Sequence, residues 1–215
     1  MNMRQPLRNS RLRRGAILLG FVLWCAGFVS ACDDTPPLPK LAPDAVILAF
    51  GDSLTFGTGA TAAQSYPAQL QGLLQRKVIN AGVPGETSAG GLRRLAQWLD
   101  EHRPDLLILC HGGNDILRRL PRAAMQRNLD AMIRLAQQRD IAVVLIAVPD
   151  FSLWLRPAEV YGELAASHRI PVESQILPAI LGDAALRADQ VHPNAAGYRR
   201  LAKAIVDLLK KSAAL

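Results

Sequence analysis

From Ala45 onward, short apolar runs alternate with longer stretches in which apolar residues recur every three or four positions. The short runs are Ala45 to Phe50, Lys77 to Asn80, Leu106 to Cys110, Ile141 to Val148 and Ile170 to Val172. The longer of these are continuously apolar rather than alternating, which suits strands buried on both faces of a parallel sheet. The helical stretches are Tyr66 to Gln75, Thr87 to His102, Pro121 to Gln138, Ala158 to His168 and Asn194 to Lys211. In the third, Met125, Leu129, Met132, Ile133 and Ala136 share a face, and Pro121 is well placed for a first turn. In the last, Leu201, Ile205, Leu208 and Leu209 oppose Arg199, Arg200, Lys203 and Lys210. Five strands alternating with helices predict one α/β domain of three layers with right-handed crossovers. Ligands of such domains bind beyond the carboxyl ends of the strands, so polar clusters that follow each run are where chemistry is expected.

The start of the chain has a different pattern. Arg4, Arg8, Arg11, Arg13 and Arg14 precede an uncharged apolar run, Gly15 to Val29, that ends in Ser30-Ala31-Cys32. This is the layout of a secretory signal peptide. The competing reading is an uncleaved anchor, since no charge interrupts Gly15 to Cys32 and a span needs about 20 apolar residues. The leader also changes the meaning of the charge. The chain of 215 residues carries a net +7, which alone suggests a partner such as nucleic acid or an acidic membrane. No acid precedes Asp33, so +7 less those five arginines leaves only +2 for residues 32–215, and the case for nucleic acid disappears. At 50% hydrophobic and 20% charged residues, disorder, collagen-like repeats and a polytopic membrane protein are excluded. Asp33 to Lys40, with Pro36, Pro37 and Pro39, reads as a semi-extended tether. Cys25 belongs to the leader, and Cys110, at the end of an apolar run, is expected to be a buried small hydrophobe.

Four clusters carry candidate chemistry. Gly51-Asp52-Ser53-Leu54 begins where the first strand ends, with a hydroxyl nucleophile beside a glycine that lets backbone N–H groups come close. Asn80 to Thr87 follows the second strand, and His111-Gly112-Gly113-Asn114-Asp115 follows the third. A backbone N–H at Gly82 and the Asn114 amide are donor types that stabilise a developing oxyanion. Asp189-Gln190-Val191-His192-Pro193 lies just before the last helix. An Asp and a His three apart in one loop can pair carboxylate with Nδ1–H and leave Nε2 to take a serine's proton. His102, His111 and His168 lack metal-ligand spacing, and no Cys pair accompanies them, so no metal is expected.

In order and spacing these blocks resemble the GDSL, or SGNH, hydrolases, and the resemblance spans residues 51–193. It extends to the thioesterase I, lysophospholipase and arylesterase branch through Gly85-Glu86-Thr87-Ser88 and the His-Gly-Gly-Asn-Asp block. The resemblance implies a flavodoxin-like three-layer α/β/α fold with a five-stranded parallel sheet and no cofactor. It implies Ser53 as nucleophile, His192 as general base and then acid, and Asp189 as the orienting carboxylate. Gly82, Asn114 and the Ser53 N–H would form the oxyanion hole. Where the family commonly has Asp-Gly-x-His, this chain has Gln190, a position expected to tolerate a side chain. The Gly-x-Ser-x-Gly elbow of α/β-hydrolases is absent, and Asp189 and His192 share one loop.

The implied substrates are small acyl or aryl esters, thioesters or lysophospholipids. The alternatives of the same fold are a carbohydrate acetylesterase or O-acyltransferase, and a non-catalytic envelope lipoprotein. Val29-Ser30-Ala31-Cys32 resembles a bacterial lipobox, which implies cleavage before Cys32, lipidation of its thiol and attachment to the periplasmic face of a membrane. Asp33 resembles an inner-membrane retention signal. The expected divisions are a signal peptide over residues 1–31, a tether over 32–43 and the hydrolase domain over 44–215. Phe151 and Trp154, on the rim after the fourth strand, are expected to wall an acyl or aryl pocket. His111 is expected to be structural, and Arg118, Arg119 and Arg122 to be solvated charges at a helix end.

Overall fold

The structure, a computed structural model, describes residues 35–151 and 155–215. The leader, Cys32 and Trp154 therefore lie outside the described residues. Five parallel strands form one sheet: β1 (Val46–Gly51), β2 (Lys77–Gly82), β3 (Leu106–Cys110), β4 (Ala142–Ile146) and β5 (Val172–Glu173), in the order β2-β1-β3-β4-β5. The three central strands are nearly all buried, and these are the continuously apolar runs. Edge strand β2 mixes exposed and half-buried positions, as its Lys and Asn require.

Around the sheet lie α1 (Ser53–Phe56), α2 (Tyr66–Leu74), α3 (Ser88–His102), α4 (Gly113–Leu117), α5 (Arg122–Gln137), α6 (Glu159–His168), α7 (Ile176–Gly182) and α8 (Ala195–Lys211). Helices α2, α7 and α8 pack together, as do α3, α5 and α6. Right-handed crossovers put the two groups on opposite faces, because the chain moves one way from β1 to β2 and the other way thereafter. That reversal opens a crevice beyond the carboxyl ends of β1 and β3. Each long helix turns its apolar stripe inward: Leu95 and Leu99 on α3, Met125, Leu129, Met132, Ile133 and Ala136 on α5, Leu201, Ile205 and Leu209 on α8.

All five predicted strands and five predicted helices are present; the departures lie at their ends. The fourth run reaches Val148, but the β3–β4 ladder ends at Leu145, and Ala147 and Val148 continue as buried backbone. Strand β5 is two residues long because Pro171 has no N–H to give; its carbonyl accepts from Leu145 N–H at 3.0 Å. Residues 35–42 form no helix or strand, and their second half is pinned to the domain. Leu38 N–H donates to Ser212 O at 2.8 Å, Leu41 N–H donates to Ala214 O at 2.9 Å, and Arg76 donates to the carbonyls of Leu41 and Ala42. Leu41 is buried, so the domain's packing begins before residue 44.

Candidate active site

Ser53 is the first residue of α1, directly beyond β1. Its N–H therefore has no acceptor within that helix. Asp52 caps the turn, Oδ1 accepting Leu54 N–H at 3.1 Å. Gly51 is required beneath it, because a Cβ there would run into the Cys110 carbonyl of β3. The strand end and the Ser53 turn thus approach β3 more closely than any side chain allows.

Asp189 and His192 come from the loop between α7 and α8. His192 Nε2 lies 3.0 Å from Ser53 Oγ, and His192 Nδ1 lies 2.8 Å from Asp189 Oδ2. Asp189 Oδ1 accepts the N–H groups of Val191 and His192, each at 2.8 Å, so both carboxylate oxygens are committed. Partial burial would raise the Asp189 carboxyl, but the hydrogen bond from the His192 ring and those two N–H groups hold it below the ordinary carboxylate range. The loop is closed on itself by Ala188 N–H to His192 O at 2.8 Å, and Asn194 caps α8 through Ala196 and Gly197 N–H, each at 3.0 Å. Gln190 lies outside the left-handed region, so glycine is not needed there.

Asn114, on α4, lines the same small cleft as Ser53, Gly113, Leu117, Phe151 and His192. One of its two amide hydrogens is given to Glu86 O at 3.0 Å, which leaves the other for the cleft. Gly82 is different. Its N–H donates to Asn80 Oδ1 at 3.0 Å, and its Cα packs so closely on α1 that a Cβ would overlap the Phe56 backbone. The expected oxyanion role of Gly82 is thus corrected: the N–H is already occupied, and the glycine is needed for packing. Three residues on, Pro84-Gly85 form the centre of a turn closed by Glu86 N–H to Val83 O at 3.2 Å, with φ of +75° at Gly85. That is the turn type that requires glycine at its third position.

Phe151 lines the small cleft with Ser53 and also a larger cavity of about 520 Å³ with Ile116, Leu117, Leu120 and Met125. Arg119, Arg122 and Asp150 add a polar side to that cavity. A second hollow of about 460 Å³, between Leu99, Arg103, Pro104, Arg139 and Ile141, sits at the amino ends of β3 and β4, the wrong end of the sheet for this chemistry.

The GDSL-like lipase/acylhydrolase family model matches residues 49–200, which contain every element of this site. The chain belongs to that family. It is 32% identical over 193 residues to esterase TesA of Pseudomonas aeruginosa, covering 85% of this chain and 96% of that protein. It is 28% identical over 160 residues to thioesterase 1/protease 1/lysophospholipase L1 of Escherichia coli K12, covering 69% of this chain and 75% of the relative. Among solved structures, AlinE4, an SGNH-hydrolase family esterase, superposes with a TM-score of 0.60 at 33% identity, covering 80% of this chain and 98% of the other.

Several side chains of these blocks tie neighbouring loops together, and the contact partners come from parts of the chain far apart in sequence. Asp115 accepts Ser88 N–H at 2.7 Å and Ser88 Oγ–H at 2.6 Å, tying the loop after β3 to the start of α3. Buried His111 is structural, as expected: its Nδ1 accepts Gly112 N–H at 3.0 Å and its Nε2 meets Glu86 Oε2 at 3.2 Å. Tyr161, deep in the core, donates to His111 O at 2.7 Å. Cys110 is buried and free, and desolvation pushes its thiol well up, which makes it inert as a nucleophile at neutral pH.

Proposed function

We propose that the protein is a serine esterase in which Ser53 attacks the carbonyl of a carboxylic ester. His192 Nε2 takes the hydroxyl proton as the tetrahedral oxyanion forms, then returns it to the departing alcohol. Water repeats the sequence on the acyl enzyme and frees the acid, with Asp189 holding the imidazole in the tautomer that accepts at Nε2. The single observation that carries this reading is the relay Asp189–His192–Ser53 at 2.8 and 3.0 Å. The oxyanion donors are the Ser53 N–H, the second amide hydrogen of Asn114 and, in place of Gly82, the Gly85 N–H. What supports Gly85 is its turn, which lies next to the Glu86 carbonyl that holds Asn114.

The acyl or aryl part of the substrate lies against Phe151 and Leu117, toward the cavity lined by Ile116, Leu120 and Met125. The apolar side chains that meet Ser53 in the small cleft, Leu54, Leu117, Phe151 and Val191, suit acyl and aryl esters, thioesters or lysophospholipids, whereas Arg119, Arg122 and Asp150 of the larger cavity leave room for the alternative of an acetylated sugar. Purified protein should hydrolyse p-nitrophenyl acetate and butyrate, and Ser53→Ala should lower kcat by roughly 10⁴-fold or more. Undiminished turnover in that variant would remove the assignment.

The working enzyme is held at the periplasmic face of a bacterial membrane by lipidated Cys32. The Arg-rich apolar leader and the Ser30-Ala31-Cys32 junction support this. Labelled palmitate should enter the wild-type chain and not Cys32→Ser; membrane-bound protein without label would favour the uncleaved anchor.

A further inference from the structure

One guanidinium joins the ends of two strands to the loop that carries the oxyanion side of the site. Arg94, on α3, donates from Nη2 to Gly51 O at 3.2 Å and Ala81 O at 2.9 Å, at the carboxyl ends of β1 and β2. The same nitrogen reaches Glu86 Oε2 at 2.6 Å, and Nε reaches the two Glu86 oxygens at 2.9 and 3.0 Å. Its plane lies over Phe50, with Cζ 3.9 Å from the ring centroid. His111 completes the clamp from the loop after β3. Because His111 Nδ1 accepts Gly112 N–H, Nε2 carries the proton and donates to Glu86 Oε2 at 3.2 Å.

The main chain of Glu86 links this clamp to the chemistry, since its carbonyl is the acceptor that takes one hydrogen of the Asn114 amide. A carboxamide with one hydrogen fixed has its second hydrogen aimed, and a donor stabilises an oxyanion only when it is aimed before the charge develops. A half-buried ion pair is weak support for stability by itself, because desolvation cancels much of the attraction. Tying two strand ends and a loop carboxylate to one planar fork is, by contrast, what the fixed geometry of a guanidinium suits better than an ammonium.

We infer that Arg94 and Glu86 are positioning residues that set the Asn114 amide for the oxyanion. The inference rests on the assignment of Ser53 and Asn114 above. The test is a double-mutant cycle in the full-length enzyme, with kcat and KM on p-nitrophenyl butyrate and the inhibition constant of an alkyl boronic acid, which forms a tetrahedral adduct with a serine. Arg94→Met should lower kcat about 10-fold, a fraction of the 10²–10³ lost when a donor is removed outright, and leave KM within about 2-fold. Boronate binding should weaken by the same factor. In an Asn114→Ala background the Arg94→Met penalty should vanish, because the group it acts through is gone. Arg139→Gln, which breaks the Arg139–Asp100 pair at the far end of the sheet, should change none of these values.

A folded Arg94→Met enzyme with wild-type kcat and boronate affinity would overturn the inference, as would penalties that simply multiply in the double mutant. If Arg94→Met does not fold, Glu86→Gln decides the matter in the same cycle: a kcat loss that disappears without Asn114 supports the inference, and a wild-type kcat overturns it. Ser53→Ala, run alongside, keeps two failures apart. Activity in Ser53→Ala would remove the site reading itself, whereas an inactive Ser53→Ala beside a wild-type Arg94→Met would remove only the positioning role.

Discussion

Asp189→Asn changes one atom, and the surrounding hydrogen bonds dictate its consequence. In the native loop Oδ1 accepts two backbone N–H groups, from Val191 and His192, while Oδ2 faces His192 Nδ1. The amide of an asparagine has one acceptor and one donor end. The two backbone N–H groups can be satisfied only by the oxygen, so the NH₂ group must take the Oδ2 position. There it donates to Nδ1, which forces the imidazole proton onto Nε2, 3.0 Å from Ser53 Oγ. A protonated Nε2 cannot accept the serine proton, so the nucleophile loses its base although no atom has moved. An inverted tautomer of this kind costs about 10⁴-fold in kcat, equal to about 5.5 kcal/mol of transition-state stabilisation. Steady-state kinetics on p-nitrophenyl butyrate should show that loss with little change in KM, and circular dichroism should show an intact fold. A folded Asp189→Asn variant within about 10-fold of wild type would refute the reasoning.

Asn114→Ala should lower kcat by about 10²–10³ with a small effect on KM, and equal losses in both would mean that the amide binds substrate rather than transition state. Glu86 predicts an acid-side stability effect. Partial burial would raise its carboxyl, but hydrogen bonds from His111 and Arg94 and the guanidinium charge hold it down to about 2 from the ordinary 4.5. A carboxyl lowered in the folded state contributes stability that is complete above pH 4.5 and is lost as pH falls toward 2. Melting temperature should therefore fall more steeply across that window in wild type than in Glu86→Gln, and parallel curves would contradict the clamp. Phe151→Ala should shift preference away from butyrate and longer acyl chains, read as the ratio of kcat/KM for butyrate to acetate, by up to about 10-fold for lost apolar contact.

What the sequence makes legible here follows from the range over which each signal acts. Continuous apolar runs such as Leu106 to Cys110 mark central strands because burial on both faces forbids polar positions. The long amphipathic helices are legible by period, whereas α1 and α4 are too short to have one and begin inside the functional blocks themselves. Among the site residues, Ser53 follows a strand that the pattern locates, and Asp189 and His192 share one loop that hydrogen-bonds to itself just before the last helix, which the pattern also locates. Gly82 misleads because two glycines stand in one loop. The signal that separates them was local: Asn80 two residues before Gly82 is the spacing of an Asx turn, which occupies that N–H, while Pro84-Gly85 is a turn centre. The Arg94–Glu86–His111 clamp had no such local signal, since its members come from a helix, a loop and a strand end that meet only in the folded sheet.

The central claim is that Ser53 is the nucleophile of this site, and a fluorophosphonate tests it most directly. Peptide mass spectrometry should place one phosphonyl group on Ser53, with esterase activity falling in proportion to the fraction labelled and with no labelling in Ser53→Ala or, on the same timescale, in His192→Ala. Label on another residue, or full activity in a chain whose Ser53 is quantitatively phosphonylated, would contradict the account.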